Sequence, residues 1–189
     1  MIREDLRCLT MQPGERGGQG DLDRRDGVYL LIDSLGDTNE FEERVRAAKA
    51  LGESRDPRAI SPLIACLKDV DPRLRRYCAE ALLRLGSIRS VHAFIGCLED
   101  REESLFTRKV AADALSKIRS YSAIDSIVGR LLDPAENESL RVHAADALGR
   151  TGSLRAIDAL EKCLADPNPL VRYESKKALS QIFAFGPGR

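Results

Sequence analysis

The sequence predicts an all-α fold, a solenoid of about five stacked helix pairs, and three observations lead there. One helix recurs five times, as RVRAAKALG (44–52), RRYCAEALL (75–83), RKVAADALS (108–116), RVHAADALG (141–149) and RYESKKALS (172–180). Its anchoring leucines Leu51, Leu82, Leu115, Leu148 and Leu179 are spaced by 31, 33, 33 and 31 residues. A period of a few tens of residues marks a stacked array rather than an ordinary globular domain. Between these helices no period-two alternation of a strand is found.

Residues 1–25 read as a flexible arm, because PGERGGQGD (13–21) is Gly-rich, polar and aperiodic. Residues 26–184 hold the array, and 185–189 form a tail in which GPGR ends any helix. The pairs are placed at 27–35 with 40–51, 57–68 with 72–85, 90–99 with 103–117, 122–132 with 135–150, and 154–165 with 169–183. Asp56-Pro57, Asp71-Pro72 and Asn168-Pro169 each set a capping residue before proline at the first helical position. Gly86 and Gly152 stand where a helix closes in the left-handed conformation. In the first helices, Ile60, Leu63, Ile64 and Leu67 form an i, i+3, i+4, i+7 stripe, repeated by Ile157, Leu160 and Leu164. In the second helices the residue before each anchor is Ala50, Ala81, Ala114, Ala147 or Ala178, and four before it stands Ala47, Cys78, Ala111, Ala144 or Ser175. Such a small-residue face lets neighbouring helices approach closely.

The chain has 189 residues, enough for one continuous core, with no composition break that would divide it. Lys plus Arg and Asp plus Glu are 30 each, so no global attraction to nucleic acid or an anionic membrane is indicated. Trp is absent, which weakens base stacking as a mode of recognition. No segment approaches the ~20 apolar residues of a spanning helix. The start MIREDLRCLT carries four charges and lacks the apolar run of a signal peptide. These features point to a cytoplasmic protein. Five cysteines, an odd count without a CxxC pair, agree with a reducing compartment and are expected as thiols.

The unit DPRAISPLIACLKDVDPRLRRYCAEALLRLG (56–86) resembles a HEAT-like repeat of the phycobilisome-lyase type, and the resemblance runs from about residue 26 to 183. It implies a HEAT/armadillo-like, right-handed α-α superhelix whose second helices line a concave face. It also implies a buried Asp–Arg ladder. Arg44, Arg75, Arg108, Arg141 and Arg172 match its arginine, and Asp69 and Asp166, six residues before Arg75 and Arg172, match its aspartate. In the third and fourth copies the turn is two residues longer and Asp100 and Asp133 lie eight upstream; in the first copy Asp37 lies seven upstream. An Arg fixed in every copy of a close-packed helix is expected to be structural, because buried charges persist when paired.

Candidate chemistry is sparse. His92 and His143 are each followed by Ala, whereas the iron-binding deoxyhypusine hydroxylases of the wider HEAT-like group use His-Glu pairs. Cys66, Cys97 and Cys163 occupy one repeat position, which would set the sulfurs roughly 10 Å apart, too far to share a metal. GERGGQG (14–20) lacks the GK[ST] of a phosphate loop. No metal, no cofactor and no catalytic residue are expected.

What remains is a variable stripe on the second helices. It comprises Val45, Arg46, Lys49 and Glu53; Arg76, Tyr77, Glu80 and Arg84; Lys109, Val110, Asp113 and Lys117; Val142, His143, Asp146 and Arg150; and Tyr173, Glu174 and Lys177. Tyr and Arg carry protein interfaces, and the excess of cations here suits an acidic partner segment. The leading expectation is a non-enzymatic interaction module or scaffold that binds a protein or peptide on the concave face. A bilin lyase or lyase subunit is the alternative implied by the resemblance. Nucleic-acid binding, as in some HEAT-like glycosylases, is opposed by the neutral charge and absent Trp.

Overall fold

The structure, a computed structural model, describes residues 19–36 and 39–185. Among these, ten α-helices follow one another: α1 (Gln19–Ser34), α2 (Phe41–Ser54), α3 (Ile60–Cys66), α4 (Pro72–Leu85), α5 (Val91–Glu99), α6 (Leu105–Ile118), α7 (Tyr121–Leu132), α8 (Glu138–Thr151), α9 (Ile157–Lys162) and α10 (Pro169–Phe185). Most of the expected arm, and residues 186–189 of the expected tail, lie outside the described residues. Residues 19–25 belong to α1.

The caps explain the boundaries. The side chains of Asp56, Asp71 and Asn168 accept from the amides of Arg58, Arg73 and Leu170, each at 2.8 Å. Ser104, Ser120 and Asn137 cap α6, α7 and α8 in the same way. Gly86 and Gly152 close α4 and α8 at φ 61 and 63°. Arg55 and Arg119 take the same left-handed position after α2 and α6, where the sequence carries no glycine.

The second helices α2, α4, α6, α8 and α10 pack in sequence as one layer, each against the next, and the first helix of every pair packs on its own second helix. Leu51, Leu82, Leu115 and Leu148 are fully buried, as are Ala48, Ala79, Ala112 and Ala145. Burying a leucine side chain stabilises by about 1.5–3 kcal/mol, so the repeated anchors supply much of the core energy. Closest approach falls at Gly52 and Gly149, where a Cβ would stand 2.8 Å from the Cα of Ala81 and of Ala178. On α10 the position of the buried alanines holds Lys176, which is exposed. That side of α10 mixes Lys176 with the exposed rings of Tyr173 and Phe183.

Two expectations about the core are corrected. Leu164 does not continue the stripe of Ile157 and Leu160: it is 44% exposed, whereas its counterpart Leu67, closed by the same i→i+3 bonds, is buried beside α5, and among the described residues no further first helix packs beyond α9 to cover Leu164. The cysteines are not all thiols, since Cys66 and Cys78 form a disulfide that ties α3 to α4. The two positions face one another across a helix pair. In the last pair, the same two positions set Cys163 against Ser175. The bridge removes the cysteine argument for a reducing compartment.

Candidate functional site

Four of the five arginines, Arg44, Arg75, Arg108 and Arg141, build an inter-repeat ladder along the turns that join the helices of each pair. Arg108 on α6 donates from Nε and Nη2 to the Leu98 carbonyl at 3.0 and 2.9 Å, and from Nη1 and Nη2 to Glu136 at 2.8 and 2.6 Å. Arg141 donates to the Leu131 carbonyl at 2.9 Å and to both carboxylate oxygens of Asp166. Arg44 donates to the Leu35 carbonyl and to Asp69. Arg75 donates to Glu103 and to the Asp69 carbonyl. Arg172 reaches only the carbonyls of Asp166 and Pro167 and is exposed.

Each carboxylate thus comes from the repeat that follows its arginine. Asp69 pairs with Arg44 and Asp166 with Arg141, while Arg75 and Arg172 hold only their carbonyls. In the longer turns Glu103 and Glu136 take this place instead of Asp100 and Asp133. Their carboxylates also accept from the amides of Ser104 and Asn137, as Asp69 and Asp166 accept from Asp71 and Asn168. The sequence signal was a glutamate five residues before Arg108 and Arg141. Asp133 instead pairs at the surface with Arg101, and Asp37 lies outside the described residues. Arg130 fills the cysteine position of the fourth pair and brings a second guanidinium to Glu136 at 3.5 Å. Burial works against the charge of Glu136, yet the bonds from Arg108 and the Asn137 amide hold its carboxyl below the usual range. Asp166 is held down likewise, by Arg141 and Asn168 against burial.

The stripe on the second helices is continuous, because side chains of neighbouring helices meet along it. From α2 to α4, Lys49 lies over the Tyr77 ring at 4.7 Å and Glu53 faces Arg84 at 3.7 Å. From α4 to α6, Arg76 lies over the Phe106 ring at 4.3 Å while also pairing with Glu80. From α6 to α8, Lys109 donates to the Ser139 hydroxyl at 2.7 Å, and Asp113 accepts from His143 Nε2 at 3.0 Å and from Arg150. From α8 to α10, Lys177 bridges Asp146 and Glu174. Burial disfavours the Asp113 charge, and the bonds from His143 and Arg150 outweigh it, leaving the carboxyl below its ordinary value. Arg46, Lys117 and Tyr173 are exposed. Phe106, 46% exposed, was missed because it lies one turn before the positions that vary most clearly.

Four positions of the stripe are not open surface. Val45 and Val110 are 4% and 7% exposed and belong to the core, while Tyr77 and Val142 pack half-buried against it. These positions flank the outward face. Long polar side chains there reach solvent, whereas aliphatic ones turn in against the neighbouring helix.

The other layer offers a groove of about 500 Å³ between α3 and α5, with Cys97 and His92 in its wall. Burial pushes the Cys97 thiol up to about 11, so it is protonated and a poor nucleophile at neutral pH. Among the described residues, no group of His, Cys, Asp and Glu has the geometry to hold a metal ion. No helix among them is long and apolar enough to cross a membrane.

A one-layer stack of second helices, stapled between repeats and presenting a continuous polar and aromatic stripe, defines a helical-repeat protein. The family model for HEAT repeats matches residues 28–106, 61–138 and 131–186, and the chain belongs to that family. Phycocyanobilin lyase subunit alpha of Synechococcus elongatus is 32% identical over 94 residues, 47% of this chain and 34% of the relative. The chain thus spans about a third of the length of that relative. In a structure of the complex of CpcE and CpcF of phycocyanin lyase from Nostoc, a chain superposes with TM-score 0.66 at 25% identity, covering 92% of this chain and 69% of that one. An engineered protein, 22% identical with TM-score 0.54 over 85% of this chain and 81% of its own, shares the fold.

Proposed function

We propose that this chain is a non-enzymatic binding module that holds a segment of a protein partner on the concave face lined by its second helices. The observation that carries the reading is the stripe itself: it crosses α2 to α10 without a break and mixes rings with charge, the composition of interfaces. The similar lyase structure is a complex of two different chains, which supports a protein as the partner. The proposed setting is the cytoplasm. The double variant Arg46→Glu, Lys109→Glu, at side chains that lie outside the core, should release a partner captured from native lysate with little change in melting temperature. The outer-layer variant Lys68→Glu should retain it. Release by Lys68→Glu alone would refute the concave-face reading.

A second reading, a subunit of a bilin lyase, is favoured by the 32% identity to phycocyanobilin lyase subunit alpha. Incubating phycocyanobilin and apo-phycocyanin with the chain, alone and together with the other subunit of a phycocyanin lyase, separates the two. Covalent attachment no faster than without the chain, in both mixtures, is expected for a binding module. Attachment accelerated by the chain in either mixture would make it a lyase or a lyase subunit.

A further inference from the structure

The stripe is electrostatically uneven. At the varying positions of the stripe every carboxylate already has a cation: Glu53 has Arg84, Glu80 has Arg76, Asp113 has His143 and Arg150, Asp146 has Arg150 and Lys177, and Glu174 has Lys177, while Glu42, exposed one turn before Arg46, lies in the field of Arg73 without an ion pair among the described residues. On α8 and α10 the cations Arg150 and Lys177 are consumed in this network. On α2 and α6 the case is reversed. Arg46, Lys49, Lys109 and Lys117 have no carboxylate partner among the described residues.

Rings lie between these cations. Lys49 and Arg76 both lie over Tyr77, at 4.7 and 5.3 Å, and Arg76 also covers Phe106. A cation over a ring face keeps its charge and remains available to an anion from the other side, whereas an ion-paired one is already satisfied. Uncompensated positive charge on one face draws an oppositely charged partner and fixes its register.

From this arrangement we infer that the α2–α4–α6 half of the stripe is the docking site proper, and that its occupant is an extended acidic peptide segment of a protein partner, with apolar side chains between its carboxylates. The carboxylates meet Arg46, Lys49 and Lys109, and the apolar groups lie against Tyr77 and Phe106. The α8–α10 half is held by its own ion pairs and sets the shape of the layer. This inference rests on the concave-face reading and narrows it to one half and one partner chemistry.

The test uses the full chain and a short fluorescein-labelled peptide in which Glu alternates with Leu, followed by fluorescence anisotropy at moderate salt. Three variants remove the same charge from different places: Lys49→Met with Lys109→Met, Lys176→Met with Lys177→Met, and Lys68→Met with Lys162→Met. The first should weaken peptide binding by roughly tenfold or more, and the other two should leave it unchanged. Equal loss from the first two variants would overturn the division of the stripe while leaving the concave face as the site. Loss from the outer-layer variant alone would overturn both readings. No binding to the wild-type chain would overturn the acidic-peptide assignment. So would equal affinity for a single-stranded DNA of matched charge, which would mean that the patch reads anions without regard to the peptide.

Discussion

Arg108 is the ladder arginine with the most to lose. Its side chain and that of Glu136 are 5% and 3% exposed, and four short donor contacts join it to Glu136 and to the Leu98 carbonyl. Arg108→Ala removes all of them, leaving Glu136 with the Asn137 amide and the more distant Arg130. Breaking a buried pair from one side costs about 3–5 kcal/mol, because the remaining charge stays desolvated. With a urea m-value of about 2 kcal/mol/M, that is a midpoint shift of about 2 M. Arg46→Ala, on the open face, should lie within about 0.5 kcal/mol of wild type. Replacing both partners, Arg108→Met with Glu136→Met, should cost less than Arg108→Ala alone, because no charge is stranded.

The pH dependence has a definite sign. Glu136 sits below its ordinary 4.5 in the folded protein, so its contribution is complete above that value and is lost as pH falls through the lower folded one. The gap between wild type and Arg108→Ala should therefore be widest near neutrality and narrow in acid. Equal urea midpoints for Arg108→Ala and Arg46→Ala at pH 7 would refute the ladder as a source of stability. A gap that widens on acidification would refute the role given to Glu136.

Other outcomes follow from single contacts. Gly149→Ala and Gly52→Ala should each cost about 1–3 kcal/mol, since the new methyl would meet backbone of the next helix at 2.8 Å. Gly96→Ala and Gly129→Ala, with open space around them, should instead gain about 0.5–1 kcal/mol in thermal or urea unfolding. A non-reducing tryptic map of air-purified protein should link the peptides of Cys66 and Cys78. Cys78→Ala with Cys66→Ala should lower stability by about 3 kcal/mol, the loop-closure value for a short crosslinked segment. Finding both as alkylated thiols would remove the bridge.

The parts of the fold that depend on local chemistry were legible. Asp56-Pro57, Asp71-Pro72 and Asn168-Pro169 cap helices because capping needs only neighbours in sequence, and the buried leucines follow from a period of 31 to 33 residues. The parts that depend on which repeat meets which were not. Glu103 and Glu136 replace the expected aspartates because a longer turn needs a longer side chain to reach the arginine of the preceding repeat, 28 residues away. Cys66 and Cys78 meet inside one pair, a contact invisible when equivalent positions are compared down the array. Along the stripe, charge counting showed an excess of cations. Only the side-chain pairing shows that the excess lies on α2 and α6, because Asp113, Asp146 and Glu174 are already engaged by Arg150, His143 and Lys177.

The central claim is that a protein partner lies across the second-helix face. A photo-crosslinking benzophenone side chain placed at Lys49, Lys109 or Lys162 in otherwise identical proteins tests it directly, with the conjugates identified by mass spectrometry after irradiation in native lysate. One common partner should be joined from positions 49 and 109 and be absent from position 162 on α9. A partner joined from position 162 and from neither of the others would contradict this.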